Sequence, residues 1–276
     1  MSKQSGMGFE GEFEPDFSGS EQEREWVRES LSEFFEDELI RDVLYRVKGG
    51  KEANVYCCQA HPGTGLEYAA AKVFRPRKFR AMKNDWFYKQ GRNMIDPDGK
   101  AVLDGRGLRA IKQHTRHGRR IDMASWCRYE YNVLAECYDT GADVPEPIAH
   151  APNAILMAYV GDETGGAPTL HAVRLEAPEA QPLFDRLLRN VELLLGCHKI
   201  HADLSAHNIL YWQGRATIID FPQTVDTHRH PQAYQLLARD VERLCQYFSR
   251  HGVSVDPTPL TVDLWERFVQ HDPGYA

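Results

Sequence analysis

His201-Ala202-Asp203-Leu204-Ser205-Ala206-His207-Asn208-Ile209-Leu210 decides the reading of this chain, together with Ile218-Ile219-Asp220, whose aspartate follows Asn208 by twelve residues. An Asp, an Asn five residues later and a second Asp at the end of an apolar strand are the groups that phosphoryl transfer uses. Asp203 can accept a hydroxyl proton or position an attacking oxygen. Asn208 and Asp220 offer hard oxygen ligands of the kind Mg²⁺ takes, few in number and supplemented by phosphates.

Working outward, Gly49-Gly50-Lys51-Glu52-Ala53-Asn54-Val55 lies between two strand-like runs. Glycines there let backbone N–H groups approach a phosphate without a Cβ clash. Alone, the pair reads equally well as a hairpin turn, and it departs from G-x-G-x-x-G-x-V at Lys48 and Ala53. On the next strand, Ala70-Ala71-Lys72-Val73 places a lysine where it can reach phosphates, with Ala70 leaving room for a flat base. Such a lysine needs a carboxylate to hold it, and Glu130, in the helical run WCRYEYNVL, follows in the right order. Leu156-Met157-Ala158-Tyr159-Val160-Gly161 is the expected connector between two lobes. Its backbone would bond an adenine edge, and Met157 would line the pocket. An edge strand with a core Met fits the same residues.

The pattern around these residues predicts an α+β chain. Residues 1–19 are expected to be a disordered acidic tail. A helical segment follows over 20–42, with Ser20 and Glu23 as a capping box and Trp26, Val27, Leu31, Phe34, Phe35 and Leu39 at helical spacing. Short antiparallel strands are expected in LYRV, NVYCCQA and EYAAAKVF. Residues 91–120, rich in Gly and charge, read as a mobile insertion, and Ala124–Tyr138 as a helix. AILMAYVG reads as a strand, Pro182–His198 as a long amphipathic helix, NILYW/QGR/ATIID as a hairpin, and Gln232–Ser249 and Thr261–His271 as final helices. The expected division is a strand-rich lobe over 43–160 and a short helical lobe over 161–276, with the ligand cleft between them.

Composition bounds the rest. The 276 residues carry a net charge of −7, unevenly spread. Residues 1–42 sum to −9, whereas 75–92 and 106–128 each hold seven Lys/Arg against one Asp. These two basic blocks suit a phosphate-rich partner or a solvated loop equally. No apolar run is long enough to span a bilayer and the start is no secretory signal, so no membrane partner is expected. Six cysteines without a C-x-x-C pair read as buried thiols in a reducing cytoplasm. His198, His201 and His207 are not at a tight ligand spacing, and a metal site among them is not favoured.

The order H-x-D-x-x-x-x-N…D resembles the protein-kinase-like superfamily. More specifically, GKEANVY at 50–56, H-A-D-L-S-x-x-N at 201–208 and I-I-D-x-x-Q at Ile218, Ile219, Asp220 and Gln223 resemble the RIO-type atypical serine/threonine kinases, over about Leu31 to Phe248. The resemblance implies a two-lobed kinase-like fold and a protein serine kinase or ATPase using ATP with Mg²⁺ (or Mn²⁺). It places Gly50, Lys51, Glu52, Ala53, Val55, Ala70, Lys72, Met157, Tyr159 and Val160 at the nucleotide, and Glu130 on Lys72. It makes Asp203 the base, Asn208 and Asp220 metal ligands, and Asp220 a transient phosphate acceptor. Departures weaken the link to any particular substrate. Phe221-Pro222 replaces Phe-Gly, no A-P-E follows, and only about ten residues separate Asp220 from Pro231. Ser205 stands where ordinary protein kinases carry Lys, His207 is an aromatic position in many relatives, and Ala158 replaces the usual acid. The alternatives are a small-molecule kinase of aminoglycoside type, which shares the late motif, and a nucleotide-sensing assembly factor that contacts RNA or ribosomal particles through the basic blocks. The protein substrate is not legible.

Overall fold

The computed structural model describes residues 13–15, 17–75, 105–113, 115–272 and 274. Residues 76–92 of the first basic stretch and residues 91–104 of the expected insertion lie outside them. In chain order the helices are α1 (Glu21–Glu36), α2 (Gly105–Lys112), α3 (Arg116–Asp139), α4 (Ala177–Gly196), α5 (Ala233–Ser249) and α6 (Pro257–His271). The amino-terminal sheet is built from β1 (Ile40–Gly49), β2 (Ala53–Ala60), β3 (Tyr68–Phe74), β4 (Pro147–Ala151) and β5 (Ala154–Ala158), in the order β1-β2-β3-β5-β4 with every pair antiparallel.

Alternation along the strands gives this sheet two working faces. Tyr56, Cys58, Ala69, Ala71, Val73, Ala154 and Leu156 point to one side, where α1 covers them with Val27, Leu31 and Phe34. Each of those large side chains contributes about 1.5–3 kcal/mol through burial. The intervening residues point the other way. Register aligns Val55 with Lys72, Lys72 with Ile155, and Ala70 with Met157, so one small-residue floor with a single lysine faces the cleft.

The amino-terminal segment corrects two expectations. Phe13 and Phe17 are 8% and 2% exposed and join the α1 core, so the acidic tail does not run unstructured to residue 19. Phe13 stacks on Phe35 at 4.8 Å and Phe17 meets Tyr56 edge-on. Ser20 caps α1 by accepting from Glu23 N–H, but the Glu23 carboxylate is turned to Arg46, Asn54 and Tyr56 on the strands. Only half of the capping box forms, and Glu23 fastens the helix to the sheet.

The expected insertion also departs from the reading. α3 begins at Arg116, inside the expected insertion, with Thr115 as its N-cap. Gly118 permits that start, since a Cβ there would collide with the Ala110 carbonyl of α2. Strand β4 begins at Pro147. It is the sheet's edge strand, where a missing N–H costs no ladder bond.

In the helical part, Leu183, Leu187, Val191 and Leu194 of α4 pack on Leu237, Val241, Leu244 and Phe248 of α5 in one core. α4 starts at Ala177, five residues before the expected Pro182, because Glu176 and Glu179 form a reciprocal cap. Two short ladders complete it. β8 (Lys199–Ile200) pairs with β11 (Val225–Asp226), and β9 (Ile209–Trp212) with β10 (Arg215–Ile218). The β9–β10 turn uses Gln213 and Gly214 at φ 49° and 77°, as a two-residue hairpin demands. Small strands β6 (Gly161–Asp162) and β7 (Gly165–Gly166) follow the connector. No helix among the described residues is long and apolar enough to cross a membrane. All six cysteines are free, and five are buried.

Candidate active site

A cavity of about 720 Å³ opens between the sheet and the helical part. Gly50, Lys51, Glu52, Ala53, Val55, Ala70, Lys72, Glu130, Met157, Tyr159, Val160, Asp203 and Asp220 all line it. Asn208, the remaining residue singled out in the sequence, lies just behind this wall.

The β1–β2 turn closes with Gly50 N–H donating to Ala53 C=O at 2.9 Å. A Cβ at Gly50 would press on that carbonyl, so the tight turn requires glycine. Across the cavity, the Lys72 ammonium lies 2.5 Å from Glu130 Oε1 and 2.6 Å from Asp220 Oδ1. Glu130 comes from α3 and is 4% exposed. Burial opposes the Lys72 charge, but the two carboxylates outweigh it and its pKa is raised. For Glu130 burial wins over Lys72 and the pKa is raised. For Asp220 burial also pushes upward, but Lys72 outweighs it and the pKa is lowered. The proton of this group therefore rests on the lysine, with Asp220 ionised.

The loop carrying Asp203 is held from below by α5. Asp240 Oδ2 accepts from Ala202 N–H at 2.7 Å and Oδ1 from Leu204 N–H at 3.0 Å, so one buried carboxylate grips the backbone on both sides of Asp203. Burial lifts Asp240 to about 7 against the pull of these two amides, Arg239 and Arg243. Arg239 donates to the Ala202 carbonyl. Arg243 Nη1 donates to Asp203 Oδ1 at 2.8 Å. His201 is buried and its pKa is lowered by that burial. Its Nδ1 accepts from Asp203 N–H and its Nε2 meets Ile219 C=O at 3.1 Å, which fits one neutral tautomer protonated on Nε2. Ala202 and Asp220 both hold left-handed backbone, φ 62° and 74°, a cost that clusters at working sites.

Asn208 donates its amide to Asp203 C=O and Oδ2 at 2.9 and 3.0 Å, leaving its oxygen turned away from Asp203. Ile219 N–H bonds Asn208 C=O at 2.9 Å, which sets Asn208 beside Asp220. One amide oxygen and one carboxylate form an oxygen-only donor set that fits Mg²⁺.

Sequence reasoning missed three contributors. Asp240 and Arg243 lie one turn apart on an ordinary amphipathic helix, and nothing local marks them. Tyr45 bonds Tyr159 hydroxyl to hydroxyl at 2.9 Å, tying β1 to the connector. It lies on a strand whose outer face alternates polar and apolar residues without a motif.

The architecture is α+β and two-lobed, that of a protein-kinase-like fold. It aligns with the Rio2 kinase from Chaetomium thermophilum at a TM-score of 0.61 and 22% identity, covering 91% of this chain and 70% of that one. A second structure of that kinase, its ADP/Mg²⁺-phosphoaspartate complex, aligns with a TM-score of 0.60 at the same identity, over 91% of this chain and 68% of that one. The RIO domain family matches residues 54–260. The chain belongs to the RIO family of atypical serine/threonine kinases. It is 28% identical over 230 residues to the serine/threonine-protein kinase rio1 of Schizosaccharomyces pombe, covering 81% of this chain and 41% of that protein. It is 29% identical over 230 residues to the RIO-type serine/threonine-protein kinase Rio1 of Haloferax volcanii, covering 83% and 69%. The chain thus spans about two fifths of the length of its eukaryotic relative.

Proposed function

We propose that this protein binds Mg–ATP in the interlobe cavity and transfers the γ-phosphoryl group to a serine of a protein, itself included, or to water. The observation that carries the reading is the convergence of Lys72, Glu130, Asp220 and Asp203, drawn from both sides of the cleft, on that one cavity. Lys72, charged and already aimed at an anion, exchanges a carboxylate contact for nucleotide phosphate. Glu130 keeps the ammonium in place. The Gly50 turn lets backbone approach the phosphates. Ala70 and Met157 give a flat apolar bed for a base, and the connector at 158–160 supplies backbone groups for its edge. Asn208 and Asp220 would hold magnesium, which neutralises charge developing on the phosphates. Asp203, oriented by Arg243 and Asn208, accepts the proton of the attacking hydroxyl or water.

Asp220 as a transient phosphate acceptor suits the same geometry, and the phosphoaspartate in the Rio2 complex supports it. The exposed Arg116, Arg119 and Arg120 at the start of α3 suit a phosphate-bearing partner such as RNA. A cytoplasmic location agrees with the buried free thiols. The decisive experiment incubates the full chain with γ-labelled ATP and Mg²⁺ and scores free phosphate, acid-stable label and acyl-phosphate together. Labelled protein or released phosphate, lost in Asp203→Ala, is expected; no label and no phosphate from ATP contradicts the proposal.

A further inference from the structure

His198, His228 and Asp272 meet at the base of the helical lobe, and none of them lines the ATP cavity. The β8–β11 ladder brings the first two together. It sets Asp226 opposite Lys199, and Thr227 N–H then donates to His198 C=O at 3.0 Å. Asp272 arrives as the C-cap of α6. His198 Nδ1 and His228 Nε2 are 3.2 Å apart, and Asp272 Oδ2 lies 3.1 Å from the first and 2.7 Å from the second.

This triangle is poorly served by protons alone. A hydrogen bond joins two atoms, as it does the two imidazole nitrogens, whereas here a third heteroatom crowds the same point. Asp272 Oδ2 is buried and makes no well-aligned hydrogen bond, although two imidazole nitrogens surround it. The other carboxylate oxygen is occupied by Gly274 N–H at 2.9 Å, which fixes the group with Oδ2 toward the histidines. His228 is anchored through its backbone, N–H to Asp226 Oδ1 at 3.0 Å. The circle through the three atoms has a radius of about 1.7 Å, so an ion roughly 2.0–2.1 Å from each sits about 1 Å off their plane, with one tetrahedral position open. The histidines that the sequence spacing would have paired with His198 are engaged elsewhere. His201 bonds Ile219, and His207 stacks on His171 at 4.0 Å.

We propose that His198, His228 and Asp272 bind one divalent transition-metal ion of zinc type, which clips the end of α6 to the α4–β8 junction and β11. Two imidazoles and one carboxylate are borderline donors that favour zinc over magnesium, whose preference is for oxygen. The three ligands come from segments far apart in sequence, so the ion stabilises the packed lobe over any state in which they separate.

The test uses the full chain, stripped with chelator, with Zn²⁺ added against a chromophoric competitor, and Co²⁺ as a spectroscopic probe. One Zn²⁺ per chain, a rise in the thermal midpoint with Zn²⁺ but not Mg²⁺, and visible Co²⁺ d–d bands are expected. His198→Ala and Asp272→Asn should lose affinity by more than the roughly 10–100-fold that changes behind a ligand cost. His228→Gln, at a partly exposed ring, is the second variant should either of these misfold, and must show the same loss. Absence of stoichiometric Zn²⁺ in the wild type overturns the proposal, as does equal Zn²⁺ affinity in a folded variant.

Discussion

Lys72 Nζ bridges Glu130 of the amino-terminal lobe and Asp220 of the carboxy-terminal lobe at 2.5 and 2.6 Å, so one ammonium holds the two sides of the cleft together. Removing it strands a buried carboxylate. Lys72→Met should destabilise the protein by about 3–5 kcal/mol, the cost of breaking a buried pair from one side. Adding Glu130→Leu should restore most of that stability while nucleotide binding stays impaired. Chemical denaturation of the single and double variants, with nucleotide titration, checks both halves. A double variant that regains nucleotide affinity would show that Lys72 does not serve phosphate.

Arg243 touches Asp203 but lines no part of the cavity, so it is a positioning residue. The pair is over a third exposed on both sides, and such pairs contribute roughly 0–1 kcal/mol to stability. Arg243→Ala should therefore leave the thermal midpoint nearly unchanged and lower kcat, with KM for ATP within about twofold and partial rescue by Arg243→Lys. An equal rise in KM would place Arg243 on the nucleotide instead.

Asp240 gives a pH signature. Its folded pKa is raised to about 7 from an ordinary value of 3.8, so between those values the folded state holds a proton that the unfolded state has released. Stability from this group is greatest below about pH 4, falls as pH rises, and levels off above about 7. Denaturation at pH 5 and pH 8 should show a steeper loss for the wild type than for Asp240→Asn. Identical slopes would mean that Asp240 is ionised throughout.

The buried aromatics ahead of α1 can be tested by truncation of a side chain. Phe17 is 2% exposed against Tyr56, so Phe17→Ala should cost about 3–5 kcal/mol. A change under about 0.5 kcal/mol would mean that this segment is not part of the core.

The site was legible where chemistry fixes spacing. Asp203, Asn208 and Asp220 stand on one loop and one hairpin, and Lys72 on a strand whose alternation sends it to the cleft. Glu130 required only the right order along the chain. Asp240, Arg243 and the His198–His228–Asp272 group were not legible, since each depends on a tertiary approach that no local period encodes. The fold was misread where a residue's usual meaning was overridden. Pro182 lies within a capped helix, and Gly118 marks a helix crossing rather than a loop. In the acidic tail, composition hid two phenylalanines whose partners lie some twenty to forty residues on.

The proposed function divides the roles, with Asp203 acting on the attacking oxygen while other residues hold the nucleotide. It is tested most directly by measuring, for Asp203→Asn, both Mg²⁺-dependent ATP affinity and phosphoryl release from γ-labelled ATP. Affinity within about threefold of wild type and turnover lowered by roughly 10²–10⁴-fold are expected. Turnover that persists at the wild-type rate in a folded variant would contradict it.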